Sequence, residues 1–227
     1  MGVDFGDYDR DGKLDLLVTN YTNQVNNLYR NLGNNAFSDM AWPAKLGQPC
    51  FPYVKWGTGF VDFDNDGWLD IFVANGHVYP QVDAIPGSPG YKEPMQMFRN
   101  THHGTFEDIS KASGVFDITR ESRRGAAFGD VYNDGNMDIL VLNIGQPPSL
   151  LINKVRNSNH RVTFQLIGTK STRAAIGAPD KQNRNQPMVW IDPAQRAECA
   201  AVPELPIVCP RVESSPDARK SMYRRKG

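Results

Sequence analysis

Cysteine is nearly absent from this 227-residue chain: Cys50, Cys199 and Cys209 are an odd number in scattered positions. That excludes a disulfide scaffold and a paired-cysteine metal site, and leaves Cys50 as a free buried thiol. An excess of either charge is also missing. Lys and Arg number 25, Asp and Glu number 25, and the net charge is zero. No overall basic field is available to recruit nucleic acid or an acidic membrane. No apolar run approaches the length of a membrane span. Met1-Gly2-Val3-Asp4-Phe5 has neither the basic nor the apolar segment of a signal peptide. Neither a Gly-rich phosphate loop ending in Lys-Ser/Thr nor a nucleophile elbow occurs. What remains, 40% hydrophobic and 22% charged, is the composition of a globular chain.

What is present is a repeated acidic loop. Asp62-Phe63-Asp64-Asn65-Asp66-Gly67-Trp68-Leu69-Asp70 sets carboxylates at positions 1, 3, 5 and 9 with glycine at 6. Alternate residues of an extended run point the same way, so Asp62, Asp64 and Asp66 are expected to converge. Three converging anions repel one another unless a cation sits between them. Hard oxygen donors around a sharp glycine turn favour calcium, with Asp70 and a backbone carbonyl at Trp68 completing the shell. An acidic surface turn is the plainer alternative for a single copy. There are three copies. Asp7, Asp9, Asp11, Lys13 and Asp15 occupy the same positions in the first loop. Asp130, Asp134, Asn136 and Asp138 do so in the third, where Tyr132 replaces the carboxylate at position 3. That loss predicts a weaker third site. Lys13, Trp68 and Asn136 are expected to supply backbone carbonyls only.

Each loop sits between two predicted strands. Gly2–Gly6, Gly57–Val61 and Gly125–Gly129 lead in; Leu14–Asn20, Leu69–Asn75 and Met137–Asn143 lead out as short apolar runs. An EF-hand is excluded: its loop joins helices and ends in Glu at position 12, where this chain has Val18, Val73 and Val141. Third strands follow at Asn27–Asn31, Met97–Asn100 and Leu150–Asn153, and fourth strands at Ala36–Asp39 and Thr105–Asp108. Four strands per unit, repeating every 55 to 70 residues or so, are the signature of an all-β partial propeller with about 2.5 to 3 blades. Residues 76–94, rich in Pro and Gly, read as an exposed loop. His77 reads as a loop residue there. His102-His103 read as a solvent-exposed pair in a turn. Trp42, Trp56, Trp68 and Trp190 suggest sugar stacking, although core packing or rim exposure explains them more simply.

The Phe-Gly-Asp and Phe-Val-Asp lead-ins and the Asp-x-Asp-x-Asp-Gly-x-x-Asp loops, over residues 1–155, resemble FG-GAP/VCBS repeats. That resemblance implies a calcium-binding β-propeller. Asn27-Leu28-Tyr29-Arg30-Asn31 and Asn75-Gly76-His77-Val78-Tyr79-Pro80 are more narrowly similar to the cartilage-acidic-protein-like group. Residues 156–178, with Val162-Thr163-Phe164-Gln165-Leu166, resemble the start of an ASPIC/UnbV domain, departing from its pattern at Arg161 and Thr172. After Ala178 the match stops. Residues 179–227 hold seven of the sixteen prolines and read as a disordered or out-of-frame tail. Sequencing the coding DNA separates those two accounts.

The expected function is a non-enzymatic calcium-binding scaffold for a protein or glycan partner, without nucleic acid. The UnbV resemblance implies an alternative, part of an enzyme or natural-product tailoring protein. Weak calcium sites fill outside the cytosol, so the expected location is secreted or cell-envelope. Because propellers close with about four to eight blades, missing blades or other copies are expected to complete this one.

Overall fold

The computed structural model describes residues 1–159. The ASPIC/UnbV-like stretch from His160 onward, Trp190 and the 179–227 tail lie outside the described residues. Among the described residues, eleven strands form three antiparallel sheets. The first holds β1 (Val3–Gly6), β2 (Asp15–Val18), β3 (Asn27–Gly33) and β4 (Ala36–Asp39) in sequential order. The second holds β5 (Lys55–Val61), β6 (Asp70–Asn75), β7 (Gln96–Asn100) and β8 (Phe106–Asp108) in the same order. The third holds β9 (Arg123–Gly129), β10 (Asp138–Asn143) and β11 (Ser149–Leu151). These are blades of a partial β-propeller. Among the described residues one four-residue helix, α1 (Gly47–Cys50), and a 3-10 turn at Pro80–Ala84 interrupt the strands. None of their helices is long and apolar enough to cross a membrane.

The lead-in strands lie side by side, β1 on β5 and β5 on β9. Their glycines permit this approach. A Cβ on Gly57 would meet the Ala126 nitrogen at 2.4 Å, and one on Gly2 would meet the Trp56 carbonyl at 2.1 Å. Asp4 ties the first two blades together by accepting from the Phe60 amide at 2.8 Å.

Two cores fill the spaces between sheets. Tyr8, Leu17 and Leu28 of the first blade pack against Phe60, Ile71, Val73 and Phe98 of the second. Phe63, Phe72, Ala74 and Met97 of the second pack against Met137, Ile139 and Val141 of the third, with Phe128 and Leu151 alongside. Alternation along each strand therefore serves both faces of a blade, one toward each neighbour. Burying each such Leu, Ile or Phe contributes about 1.5 to 3 kcal/mol. Cys50 is a free buried thiol in the first core.

The 76–94 segment is the expected exposed loop through its middle, at residues 79–81 and 83–87, but its two ends are buried. Its ends are pinned: Gly76 donates to the Val54 carbonyl and His77 to the Tyr91 carbonyl, each at 3.0 Å. His77 is buried, its Nε2 3.4 Å from the Tyr21 hydroxyl and its Nδ1 accepting from the Tyr79 amide at 3.2 Å. The sequence does not announce these buried ends; hydrogen bonds hold them.

At the end of the second blade remote from its acidic loop, where Lys55 pairs with Asn75, sit buried charges that the sequence pattern did not reveal. Lys55 Nζ donates to the Tyr21 and Gln24 carbonyls at 2.9 and 2.6 Å. Arg123 donates to the carbonyls of Glu93 at 2.7 Å and Thr119 at 2.5 Å. Glu93 Oε2 accepts from the Val54 amide at 2.9 Å, while Oε1 has no hydrogen-bond partner among the described residues. Burial pushes the Glu93 carboxyl up to about 8. A carboxyl raised above its unfolded value binds a proton more readily when folded. Its contribution to stability is therefore full at acid pH and is lost as pH rises from the ordinary carboxylate range through about 8. Glu93→Gln should accordingly gain melting temperature relative to the parent between pH 5 and pH 9. A constant difference across that range in paired thermal melts would refute the assignment.

Candidate metal centres

Each acidic loop is a sharp reversal between a lead-in strand and its neighbour. Glycine at position 6 takes positive φ in all three, +85° at Gly12, +88° at Gly67 and +90° at Gly135. Position 4 is left-handed as well, at Arg10, Asn65 and Asn133, with φ of 60°, 56° and 54°. Asn accepts that conformation readily, whereas Arg10 adopts it at a cost.

The aspartate at position 1 stitches the turn. Asp7 accepts from the Asp11 and Gly12 amides at 3.0 and 2.8 Å. Asp62 accepts from Asp66 and Gly67 at 3.1 and 2.9 Å, and Asp130 from Asp134 and Gly135 at 3.0 and 2.9 Å. The aspartate at position 9 is buried and bonds in two directions. Asp15, Asp70 and Asp138 each accept from the amide at position 2 of their loop, Tyr8, Phe63 and Val131, at 3.2, 3.3 and 3.1 Å. Each also accepts from the amide of an Asn within, at the end of or just after the third strand, Asn31 at 2.8 Å, Asn100 at 2.8 Å and Asn153 at 2.9 Å.

Those asparagines are structural residues that chemistry-minded sequence reading passes over. Asn100 Nδ2 donates to the Tyr8 carbonyl of the first loop at 2.9 Å. Asn153 Nδ2 donates to the Phe63 carbonyl of the second loop at 2.8 Å. Each therefore clamps its own loop aspartate to the loop of the preceding blade. The signal was in plain view, as an Asn closing the third-strand run of every unit, at Asn31, Asn100 and Asn153.

In the first loop, carboxylate oxygens of Asp7, Asp9 and Asp15 lie within 4.8 Å of one another; in the second, those of Asp62, Asp64 and Asp70 do. Both trios are placed to hold a metal ion. Among the described residues no such trio forms in the third loop, where Tyr132 stands in for the position 3 carboxylate. The position 5 aspartates are turned to other partners. Asp11 pairs with Lys13 Nζ at 2.7 Å, and Asp66 with His102 Nε2 at 2.6 Å. His102, which reads from sequence as part of an exposed pair, lies stacked on Trp68 with ring centroids 4.9 Å apart. Arg10 sits 4.9 Å from the same indole, so the first two loops touch through Trp68.

Electrostatics favours a cation at both trios. Burial, then the charges of Asp9 and Asp7, pushes Asp15 up to about 6. Burial, then Asp66 and Asp64, pushes Asp62 up to about 6, and burial raises Asp70 well above the usual carboxylate range. Arg30, 2.5 Å from Asp9, partly neutralises the first trio. A hard divalent ion would satisfy what these buried oxygens lack, so the donor set fits the metal expected from the sequence.

A model of the FG-GAP-like repeat matches residues 7–73 and 62–141. The chain belongs to that family. Cartilage acidic protein 1 of Xenopus tropicalis is 36% identical to it over 77 residues, a stretch covering 34% of this chain and 11% of that relative. The chain thus matches about a tenth of that relative's length.

Proposed function

We propose that this chain is a non-enzymatic, calcium-stabilised propeller module that presents its loops to a protein or glycan partner, in a secreted or cell-envelope setting. The supporting observation is the recurrence of one carboxylate trio at the same place in two successive FG-GAP-like repeats. In the first site the ligands are Asp7, Asp9, Asp11 and Asp15, with the Lys13 carbonyl. In the second they are Asp62, Asp64, Asp66 and Asp70, with the Trp68 carbonyl. Asp11 and Asp66 join by giving up Lys13 and His102, a small cost for exposed pairs. The ion's chemistry here is charge neutralisation, which turns binding energy into folding energy. Affinities of about 0.1 to 1 mM suit an extracellular module. The third loop, with Asp130, Asp134, Asn136 and Asp138, is weaker or silent for want of the carboxylate that Tyr132 replaces.

Calcium titration calorimetry on the full chain tests this. The expected result is two equivalents bound, one lost in Asp9→Asn, one lost in Asp64→Asn, and one gained in Tyr132→Asp. Failure to bind at millimolar calcium, or binding that survives both Asn substitutions, overturns the assignment.

A further inference from the structure

In two of the three blades an arginine stands immediately before the asparagine that anchors the loop. Arg30 precedes Asn31, and Arg99 precedes Asn100. Both lie on a third strand, and they differ in what the fourth strand sets opposite them. Arg30 pairs in register with Ser38, and Arg99 pairs with Glu107. Serine offers no charge. Arg30 turns instead to the first acidic loop, its Nε 2.5 Å from Asp9 and its Nη2 3.6 Å from Asp11. Glutamate does offer a charge, and Arg99 Nη2 closes on Glu107 at 2.6 Å. The third blade has Tyr132 in place of the position 3 carboxylate, and there Ile152 stands where the others carry arginine.

The contact between Arg30 and Asp9 is one of charge. Arg30 Nε has no hydrogen-bond partner among the described residues, and its side chain is 40% exposed, so it is free to swing away. Asp9 is more enclosed, at 12%. A guanidinium keeps its charge at any ordinary pH. It therefore occupies, as a cation, the carboxylate that a metal ion in the first trio would use. Lys13 does the same to Asp11 at 2.7 Å. An incoming divalent ion must displace the guanidinium or tolerate its repulsion at close range.

We propose that Arg30 sets the affinity of the first metal centre, as a tethered cation that competes with calcium for Asp9. At the second centre Glu107 keeps Arg99 from taking the same role at Asp64. The residue across the strand pair, Ser38 or Glu107, decides which outcome holds. This inference rests on the calcium reading above and adds to it what governs the strength of each site.

Calcium titration calorimetry on the full chain reads each site with the other silenced. In the Asp64→Asn chain, Arg30→Gln should tighten the first site about three- to tenfold. Ser38→Glu, which gives Arg30 a partner on its own sheet, should tighten it as well. In the Asp9→Asn chain, Glu107→Ser should release Arg99 onto Asp64 and weaken the second site by a similar factor. None of these four positions is buried, and circular dichroism checks the fold of each variant. Charge acting at long range would shift affinity too, so the double variants decide. Ser38→Glu should have no further effect once Arg30 is replaced by Gln, nor Glu107→Ser once Arg99 is. Calcium bound with an affinity indifferent to Arg30→Gln, or double variants that are simply additive, would overturn this inference and leave the calcium reading standing. No calcium bound in either background would remove both.

Discussion

Excess chelator should lower the melting temperature of this chain measured in 2 mM calcium, and Asp64→Asn should remove about half of the difference. For two sites with dissociation constants of about 0.1 to 1 mM, the stabilisation at 2 mM calcium is about 1.3 to 3.6 kcal/mol in total. For a folded unit of this size that is about 3 to 14 °C. The increment should also grow with pH. Asp15 and Asp62 are held up to about 6 by burial first and neighbouring carboxylates second. Without metal, the folded carboxyls bind protons that the unfolded ones have already lost, so their contribution to stability falls as pH rises from about 4 through about 6. Calcium favours the ionised forms and offsets that loss. Melts with and without calcium should therefore differ more at pH 7 than at pH 5. No difference at either pH would leave the trios as turns alone, and an equal difference at both would refute the raised carboxyls.

Asp70→Ala should be the more damaging change, and it should be damaging with or without calcium. The carboxylate is buried and accepts from two buried amides, Phe63 at 3.3 Å and Asn100 at 2.8 Å. Removing it leaves both amides unpaired, at about 1 to 3 kcal/mol each, so the expected loss is about 2 to 6 kcal/mol. Asp138→Ala is the control. Asp138 holds the same two bonds in the third loop, to Val131 and Asn153. It should destabilise in the same way while leaving calcium's increment untouched. Chemical denaturation in chelator and in calcium separates the roles. If Asp70→Ala is harmless in chelator, the position 9 aspartate is a ligand and not a structural hub.

The two substitutions mark the boundary of what could be read in advance. The carboxylate spacing 1, 3, 5, 9 announces a metal loop because ligand chemistry demands residue types that strand packing would avoid. It does not announce that position 9 also anchors the third strand, since an amide donor leaves no trace in a side-chain pattern. The strands were legible because alternation and a terminal Asn recur at fixed offsets: Ala36–Asp39 coincides with β4, and Asp70–Asn75 falls within the predicted Leu69–Asn75. Position 5 was not. Extended-run logic aims Asp66 at its neighbours, yet the left-handed residue at Asn65 and the glycine at Gly67 break the alternation, and His102 captures the carboxylate.

By itself, then, the sequence determined the repeat, the three blades, the turn glycines and the acidic loops, because each depends on local periodicity or on a residue type that its backbone requires. Only the tertiary structure decided which carboxylates meet, that His102 lies on Trp68, that Asn100 and Asn153 clamp one blade to the next, and that Lys55, Glu93 and Arg123 are buried. The carboxylates share one loop, but the clamping partners are distant in the chain, Asn153 and Phe63 by 90 residues and Asn100 and Tyr8 by 92. Nothing local selects them. They meet because the lead-in strands stack, which the glycines permit and the two shared cores drive.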